Sequence, residues 1–394
     1  RTYLYEDEQL LVSCRGAYSG KPNISPPRCF VTSNSLVLEN DWKLLSRKYF
    51  YYVLTVADKS QIVTGSAQPQ VTTTNLEPLV VLIPPLAEQH RIVAKVDELM
   101  ALCDQLEQQT DASLGAHQTL VETLLSALTS AADHAQFASA WQRIAGHFDM
   151  LFTTEESIDQ LKQTILQLAV MGKLLPQDPN DEPASELLKK IAAEKAKLVK
   201  EGKIKKDKPL LPISDNEVPF ELPDGWAFCR LQEAIDVRDG THDSPKDATG
   251  AKTYPLVTSK NFINGGIDFD STRRISEEDH LEISKRSLVE VDDILFSMIG
   301  GNIGNQVMVC DSRPFSVKNV ALFKYFLKSA TYPRFFYIYT QELAAELQNQ
   351  ASGGAQPFVA LGYLRNLVLS LPPIAEQHRI VAKVDELMAL CDQL

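Results

Sequence analysis

The sequence predicts an α+β fold: two globular domains of mixed helix and strand, the first of them partial, separated and flanked by long coiled-coil helices. One long segment occurs twice, its apolar positions follow a helical spacing, and short strand-like runs bounded by Gly and Pro fill the stretches outside it. The chain has 394 residues, 44% of them hydrophobic. Each of about two to three domains can therefore bury a core of its own.

The repeated segment runs from Pro84 to Leu106 and again from Pro372 to Leu394, 288 residues further along the chain. Aligned without gaps, the copies agree at 22 of 23 positions and differ only at Leu86 and Ile374. The offset is far longer than the repeat of a solenoid, so it indicates a duplicated domain.

Each copy predicts a helix that begins after a Pro-Pro pair, because proline is excluded from a helix interior. Its apolar residues are spaced 4, 3, 4 and 3 apart, which is typical of a coiled-coil seam. The seam residues are Ile92, Val96, Leu99, Cys103 and Leu106 in the first copy, and Ile380, Val384, Leu387, Cys391 and Leu394 in the second.

Packing inside one domain explains the seam but not the repeated polar positions. We expect these positions to dock the same partner at each copy; a recent duplication is the alternative, and the divergence of the flanking sequences argues against it. The predicted docking residues are Glu88, Gln89, His90, Arg91, Lys95, Glu376, Gln377, His378, Arg379 and Lys383.

The spacing of these features predicts four regions. Residues 1–83 are interpreted as the C-terminal half of a first globular domain, 84–221 as a central helical spacer and linker, 222–371 as a complete second domain, and 372–394 as the start of a distal helix. The missing initiator methionine and the stop in mid-helix indicate a fragment cut at both ends.

Three further predictions are local. Thr154 begins a helix whose seam, from Ile158 to Leu168, is expected to pair antiparallel with the first copy of the repeated helix. Separate helical runs are predicted from Pro84 to about Gln109 and from 116 to 130. Residues 79–83, Leu-Val-Val-Leu-Ile, are predicted to be a buried strand.

Several chemistries have no motif in the sequence. There is no phosphate-binding P-loop, and no Pro-Pro pair follows Asn or Asp as an adenine methyltransferase motif requires. Asp292 and Asp293 lack the Glu-x-Lys of a nuclease and are interpreted as a turn. The six cysteines form no C-x-x-C pair, and there is no long apolar run. We therefore expect a cytoplasmic chain with no catalytic residues, no metal site and no membrane segment.

The globular repeats carry a specific set of motifs. Asp293-Ile294-Leu295-Phe296-Ser297 precedes a glycine pair at 300 and 304, a Gly-x-Ala-Gln-Pro loop follows, and Pro-Pro-x-x-Glu-Gln opens the helix. This order resembles the specificity subunit of type I restriction-modification systems. The resemblance implies two target-recognition domains that each read half of a bipartite double-stranded DNA site, with helices that set the spacing.

The same resemblance implies partners and cofactors. The helices would dock two modification (methyltransferase) subunits that carry S-adenosylmethionine, and restriction subunits with ATP and Mg would complete the complex. No cofactor is expected in this chain itself.

Direct readout of DNA needs Arg or Lys for guanine and Asn or Gln for adenine on exposed loops. Gln68 and Gln356 hold the same place in the repeated loop, so we expect them to serve backbone contact or loop geometry, and the diverged residues to specify sequence. The candidates are Arg15, Lys21, Asn34, Gln68, Thr241, His242, Lys246, Lys260, Asn261, Arg273, Arg274, Asn302, Asn305, Lys318, Asn319 and Gln356.

The net charge of −12 opposes DNA binding overall, because affinity comes largely from neutralised phosphates. Acidic partner-binding helices would still leave basic loops for DNA. The alternative function is a coiled-coil scaffold that joins two identical partners without binding DNA, and salt-dependent DNA binding distinguishes the two.

Overall fold

A computed structural model describes residues 3–60, 62–65, 68–132, 134–206, 208–351 and 358–394. The chain divides into two compact units, residues 1–116 and 117–394, and the boundary falls inside a long helix. The elements that begin in the first unit are β1 (Leu10–Ser13), β2 (Pro22–Ile24), β3 (Ser35–Leu38), α1 (Arg47–Val56), α2 (Thr73–Leu76) and α3 (Leu86–Thr129).

The second unit alternates helices with short strands. Its helices are α4 (His134–Ala145), α5 (Phe148–Leu151), α6 (Glu155–Val170), α7 (Ala184–Lys200), α8 (Leu231–Ala234), α9 (Glu277–Ser287), α10 (Pro333–Ala351), α11 (Leu361–Asn366) and α12 (Ile374–Cys391). Its strands are β4 (Ala227–Arg230), β5 (Ile235–Asp239), β6 (Thr253–Val257), β7 (Phe262–Ile263), β8 (Gly266–Ile267), β9 (Arg273–Ser276), β10 (Ile294–Ser297), β11 (Gln306–Met308), β12 (Ser316–Val317), β13 (Val320–Tyr325) and β14 (Val368–Leu371). The mixture of helices and strands confirms the predicted α+β class.

The sheet of the first unit has the order β2-β1-β3, and both pairings are antiparallel. Successive residues of a strand point to opposite faces. Leu10 and Val12 are therefore the buried residues of β1, where they pack in a core with Leu54 and Val71.

The main sheet of the second unit, β11-β10-β13-β5, repeats this arrangement and adds a fourth strand. Leu10 pairs with Ile24 on one side and Leu38 on the other. Ile294 pairs in the same way with Met308 and Phe323. The similarity of the two regions thus extends to strand order and register.

The remaining strands of the second unit form smaller sheets with the orders β12-β6-β9, β14-β4 and β7-β8. Phe296 and Phe323 of the main sheet are buried with Phe335 and Phe336 of α10 in the largest core of the unit. This core fixes α10 against the sheet, and residues 299–302 follow directly from the end of β10.

The first copy of the repeated helix continues without interruption from Leu86 to Thr129, where two separate helical runs were predicted. Gly115 lies within it; one exposed glycine costs a helix only about 1 kcal/mol, which a long helix tolerates. The predicted start of α6 is confirmed: the Thr154 hydroxyl accepts the Ser157 N–H, at 3.2 Å, and caps the helix.

The second copy, α12, packs antiparallel on α6. Lys162 of α6 bonds Asp392 just after the end of α12, at 2.7 Å, and the Ser370 hydroxyl just before α12 donates to the Val170 carbonyl, at 2.6 Å. The seam of α6 lies in one core with Ile380 of α12. An antiparallel helix pair therefore exists, formed with the second copy.

The predicted antiparallel packing is wrong for the part of α3 that lies in the second unit. Gln118 of α3 bonds Glu156 at 2.8 Å, and the Lys173 ammonium just beyond α6 donates to the Thr129 carbonyl at 2.6 Å. The contact further along α3 is also further along α6, so the end of α3 runs parallel to α6. The reason is the connection between the two helices: α4 and α5 bring the chain back from the end of α3 toward Gln118 before α6 begins.

The predicted buried strand at 79–83 is also wrong. Val80, Leu82 and Ile83 are 89%, 82% and 57% exposed, and the segment has no strand partner among the described residues. The equivalent segment of the second copy is β14, which pairs with β4. A strand needs a neighbour for its backbone groups, and within the described ranges the second copy alone has one.

Candidate nucleic-acid interface

A cleft of about 650 Å³ lies at the end of β10 in the second unit. Three turns form it: residues 258–261, residues 299–302, and the junction of β12 with β13. Its charged lining residues are Lys260, Arg273 and Lys318, and no carboxylate of the described residues lines it. The cleft is therefore cationic although the whole chain carries a net charge of −12.

The structure brings together half of the predicted residues of this domain. The six that line the cleft are Lys260, Asn261, Arg273, Asn302, Lys318 and Asn319. Thr241 and His242 lie beside it: the Thr241 N–H donates to the Val317 carbonyl at 2.9 Å, and His242 Nδ1 lies 3.2 Å from the Asn319 side-chain oxygen.

The cationic residues differ in how they are held. Arg273 Nε donates to Asp247 at 2.6 Å, and the Lys318 ammonium bonds the Ser244 hydroxyl. Within the described part of the chain, Lys260 has no side-chain partner, and it is exposed. Lys260 is thus available to an incoming anion, and Arg273 and Lys318 are positioned by neighbouring loop residues.

Asn261 is a buried part of one of the turns that form the cleft. Its side chain is buried at 7% exposure, and its oxygen accepts from the Thr258 N–H at 2.9 Å. Its amide nitrogen donates to Ser271 at 3.1 Å. The oxygen and one of the two amide N–H groups of Asn261 are thus used inside the turn, where the residue shapes the cleft.

Three further candidates lie outside the cleft lining. Arg274 is exposed but donates to the Thr253 hydroxyl and carbonyl at 2.7 and 2.5 Å, so it braces β9 against β6. Lys246 and Asn305 are exposed. Gln356 lies outside the described residues.

In the first unit the four candidates gather around the end of β1, and all four are exposed. The Cys14 N–H donates to the Asn34 carbonyl at 2.9 Å, and the Ser13 N–H donates to the Lys21 carbonyl at 3.0 Å. The backbone of Arg15 forms an isolated antiparallel β-bridge with that of Gln70, two residues beyond Gln68.

Sequence reasoning did not select several neutral residues of the cleft: Thr258, Ser259, Ser271, Gly300 and Gly301. Their nearness in the chain to the candidates Lys260, Arg273 and Asn302 was the available signal. Gly300 has a positive φ of 70°, which favours glycine and lets the backbone turn at the cleft edge.

The repeated helices require a correction. Gln89, Glu376 and Gln377 are 1%, 1% and 0% exposed, so the prediction that they dock a partner is wrong for these three. Their amide and carboxyl groups are used inside each unit. Arg379 is held by Asp181, at 2.6 Å.

The other docking candidates remain accessible. Arg91 and Glu88 form an ion pair along α3, Lys95 pairs with Glu98 at 2.8 Å, and Lys383 pairs with Glu386 at 2.9 Å. The exposed members at the repeated positions are His90, Arg91, Lys95 and His378, with Glu88, Arg379 and Lys383 partly exposed.

One cluster on the first copy was not predicted. Asp97 of α3 accepts from the Lys48 ammonium at 2.7 Å and from the Tyr52 hydroxyl. The hydrogen bond to Asp97, then burial, raises the pKa of Tyr52 to about 12, and Lys48 lowers the pKa of Asp97. The cluster joins α1 to α3 and has the character of a structural contact.

Neither a metal site nor a membrane-spanning helix is present among the described residues. No group of three or more His, Cys, Asp and Glu side chains there is arranged to hold a metal ion. No helix there combines the length and apolarity that a membrane crossing demands.

Comparison with known proteins defines the class. Residues 1–115 and 223–394 match the family described as Type I restriction modification DNA specificity domain. The match covers more than half of the chain, so the chain belongs to this family, and the resemblance drawn from its motifs is confirmed.

Two curated relatives come from Escherichia coli. The chain is 42% identical to the type I restriction enzyme EcoAI specificity subunit over 343 residues, which are 85% of this chain and 58% of that protein. It is 41% identical to the EcoEI specificity subunit over 348 residues, 84% of this chain and 58% of that protein. The chain thus spans little more than half the length of either relative.

A solved structure has a similar fold. This structure comes from work on complex assembly and conformational transition of the type I restriction-modification system. The alignment covers 99% of this chain and 76% of that chain. The TM-score is 0.50 and the identity 16%.

Proposed function

We propose that this chain is the DNA-specificity subunit of a type I restriction-modification complex, with no catalytic activity of its own. Each globular domain reads one half of a bipartite double-stranded DNA site, and the helices between them set the distance between the halves. Family membership and the cationic cleft support the proposal.

The cleft is the observation that carries it. Lys260, Arg273 and Lys318 supply positive charge for phosphates, which gives affinity and fixes the register on the duplex. Asn302 and Asn319, on the same walls, offer the paired donor and acceptor that recognises adenine in the major groove. An acidic protein can bind DNA when its positive groups are concentrated at one surface.

The repeated helices supply the second part of the proposal. His90 and Lys95 have exact sequence counterparts in His378 and Lys383, and the ion pairs Lys95–Glu98 and Lys383–Glu386 are repeated as well. Two copies of one surface favour two copies of one partner. We assign this surface to two modification subunits.

The chemistry of the complex then lies in its other subunits. The modification subunits bring S-adenosylmethionine and methylate adenine, and restriction subunits bring ATP and Mg. The whole complex acts on DNA in the cytoplasm.

The test is the adenine methylome of the source cell, read by long-read sequencing with the gene intact and with it deleted. Loss of methylation at one split motif, two short half-sites around a fixed gap, is the expected result. An unchanged methylome with the partner genes expressed would contradict the proposal.

Binding by the assembled complex gives an independent check. Duplexes that carry the motif, scrambled half-sites, or a gap changed by one base pair are compared at several salt concentrations. We expect weaker binding as salt rises and loss of preference when the gap changes. Binding that depends on neither the DNA sequence nor the salt concentration would favour the alternative, a coiled-coil scaffold that joins two identical partners.

A further inference from the structure

The loop after β5 is fastened to the junction of β12 with β13, one of the three turns that form the cleft. The Thr241 N–H donates to the Val317 carbonyl at 2.9 Å, and the Asn319 N–H donates to the Thr241 carbonyl at 3.1 Å. A Cβ atom on Gly240 would lie 2.4 Å from the Val317 carbonyl oxygen, so the approach of the two backbones requires glycine. The loop of residues 240–242 therefore has a fixed position beside the cleft.

Asn319 lines the cleft at this junction. Its φ is +57°, in the left-handed region that asparagine adopts more readily than most residues. The backbone of Asn319 is thus fixed, but its amide group can turn over about the last side-chain bond, which exchanges the oxygen and the nitrogen. A further contact is needed if one of the two orientations is to be kept.

His242 makes that contact. Its Nδ1 atom lies 3.2 Å from the Asn319 side-chain oxygen, and its Nε2 atom lies 3.0 Å from the Asp239 carboxylate. An ionised carboxylate can only accept hydrogen bonds, so Nε2 is the donor to Asp239. The imidazole ring is therefore anchored at one nitrogen and directed at the Asn319 amide with the other.

Asp239, the last residue of β5, is held on both of its oxygens. It is 7% exposed, and the oxygen that does not contact His242 accepts from Arg286 Nε at 2.9 Å. Arg286 lies in the last turn of α9. A continuous series of polar contacts thus leads from α9 through the buried Asp239 and the ring of His242 to a residue of the cleft.

We propose, resting on the proposed function of the cleft, that Asp239 and His242 are positioning residues for base recognition and act through Asn319. They fix the amide with its oxygen toward the ring, which leaves the NH₂ group for the cleft. The oxygen keeps a second lone pair, so Asn319 offers the donor and the acceptor that match adenine N7 and N6 in one order only. An amide that turns freely would offer both orders and discriminate less.

Direct contact of His242 with DNA is the competing interpretation, because its side chain is 54% exposed. Asp239 separates the two interpretations, since this buried carboxylate carries no donor for a phosphate and reaches the cleft only through His242. A ring that contacts DNA itself should also act independently of Asn319.

The experiment measures competition binding by the assembled complex on duplexes in which each base pair of the split motif is replaced in turn. We expect Asn319→Ala to reduce the preference at one adenine-containing base pair about tenfold. His242→Ala and Asp239→Ala should reduce the preference at the same base pair. His242→Ala should add nothing in the Asn319→Ala background, because residues that act in series are not additive.

A modified base tests the hydrogen bond itself. Adenine N7 is the acceptor that the Asn319 NH₂ group would use, and 7-deazaadenine lacks it. We expect 7-deazaadenine at that base pair to weaken binding by the unchanged complex and to have little effect on binding by the three single variants.

Asp236→Ala is the matched control for Asp239→Ala. Asp236 lies on the same strand, is 9% exposed and pairs with Arg238 at 2.6 Å, so its removal changes the charge and releases an arginine in the same way. It makes no hydrogen bond to His242 among the described residues. We expect the base preference to survive this change, and circular dichroism with a urea titration checks the folding of every variant.

The proposal is overturned if His242→Ala lowers the preference further in the Asn319→Ala background, or acts at another base pair. A folded Asp239→Ala variant with full preference overturns it as well. If Asp239→Ala does not fold, His242→Ala, at an exposed position, decides the matter alone. An unchanged complex with no base preference on any duplex contradicts the proposed function and this inference with it, whereas the other outcomes overturn the inference alone.

Discussion

Gln89 and Gln377 make the same two-way bridge in the two copies. The side-chain oxygen of Gln89 accepts from the Ser46 N–H at 2.8 Å, and its nitrogen donates to the Pro84 carbonyl at 2.8 Å. Gln377 accepts from the Tyr332 N–H at 2.8 Å and donates to the carbonyl of Pro372, its own first proline, at 3.0 Å. Each glutamine ties the start of the repeated helix to the start of an upstream helix, α1 or α10.

The first prediction follows from this bridge. Gln377→Met keeps the volume of the side chain but leaves a buried N–H and a buried carbonyl without partners, which costs about 2–4 kcal/mol. We expect the urea transition of the second unit to shift by that amount while the transition of the first is unchanged. Ala382→Gln, at an exposed position of the same helix, is the control, and equal shifts in both variants would refute the bridge as the cause.

A second prediction concerns the buried pair of Asp293 and Lys324, 2.6 Å apart and 2% and 9% exposed. Burial raises the pKa of Asp293 to about 6, against the opposing effect of Lys324. Lys324→Met leaves the carboxylate without its cation, so we expect a loss of about 3–5 kcal/mol in unfolding free energy at pH 8.

The loss should be smaller at pH 5, where Asp293 takes up a proton. Chemical denaturation at both pH values measures it. Lys328→Met removes the exposed partner of Asp292 and should cost no more than about 1 kcal/mol. A cost that does not change with pH would show that lost packing, and not the bare carboxylate, is responsible.

A third prediction uses Glu342 of α10. Burial, and then the charge of Glu346, raises the pKa of Glu342 from 4.5 to about 7. The protonated form is favoured in the folded state, so its stabilising contribution is complete below pH 4.5 and is lost as the pH rises through about 7. Glu342→Gln should therefore stabilise the second unit at pH 8 and flatten its stability between pH 5 and 8. Glu278→Gln, at an exposed position of α9, controls for the mere loss of a charge.

A fourth prediction separates charge from readout in the cleft. Lys260→Ala should weaken DNA binding by the assembled complex to a similar degree on all sequences and reduce the salt slope by about one. Asn302→Ala should relax the preference at one base pair, by about 1–3 kcal/mol, with little effect on the salt slope. Competition titrations on single-base variants of the site measure both, and Lys246→Ala, outside the cleft lining, is the charge-matched control.

The two copies of the repeated helix make similar contacts, but the sequence did not show whether those contacts are internal or with a partner. Asp97 and Asp385 occupy the same position of the two copies, and they pair with Lys48 and Arg334 at 2.7 and 2.6 Å. The sequence showed that the polar positions recur. Because hydrogen bonds to a distant helix leave no periodic signal, it could not show that Gln89 and Gln377 recur for the sake of internal bonds.

In the cleft, residue type alone separated the candidates poorly. Lys260 and Asn261 are adjacent in the chain, yet Lys260 is exposed and Asn261 is 7% exposed, with its oxygen and one N–H bonded inside the turn. Both were selected by the same rule. The direction of each side chain depends on the turn that carries it, and that turn is held by Ser271, ten residues away.

The duplication, the helical nature of both copies and the α+β class could be derived from the amino-acid sequence, because they follow from the local spacing of apolar, proline and glycine residues. The sequence could not show which of the two identical helix faces is covered. Glu376 is buried because Trp226, 150 residues away, donates a hydrogen bond to it, and Glu88 has the same neighbours in sequence but no such partner among the described residues. Burial is a property of long-range packing, so equal local sequences reached different environments.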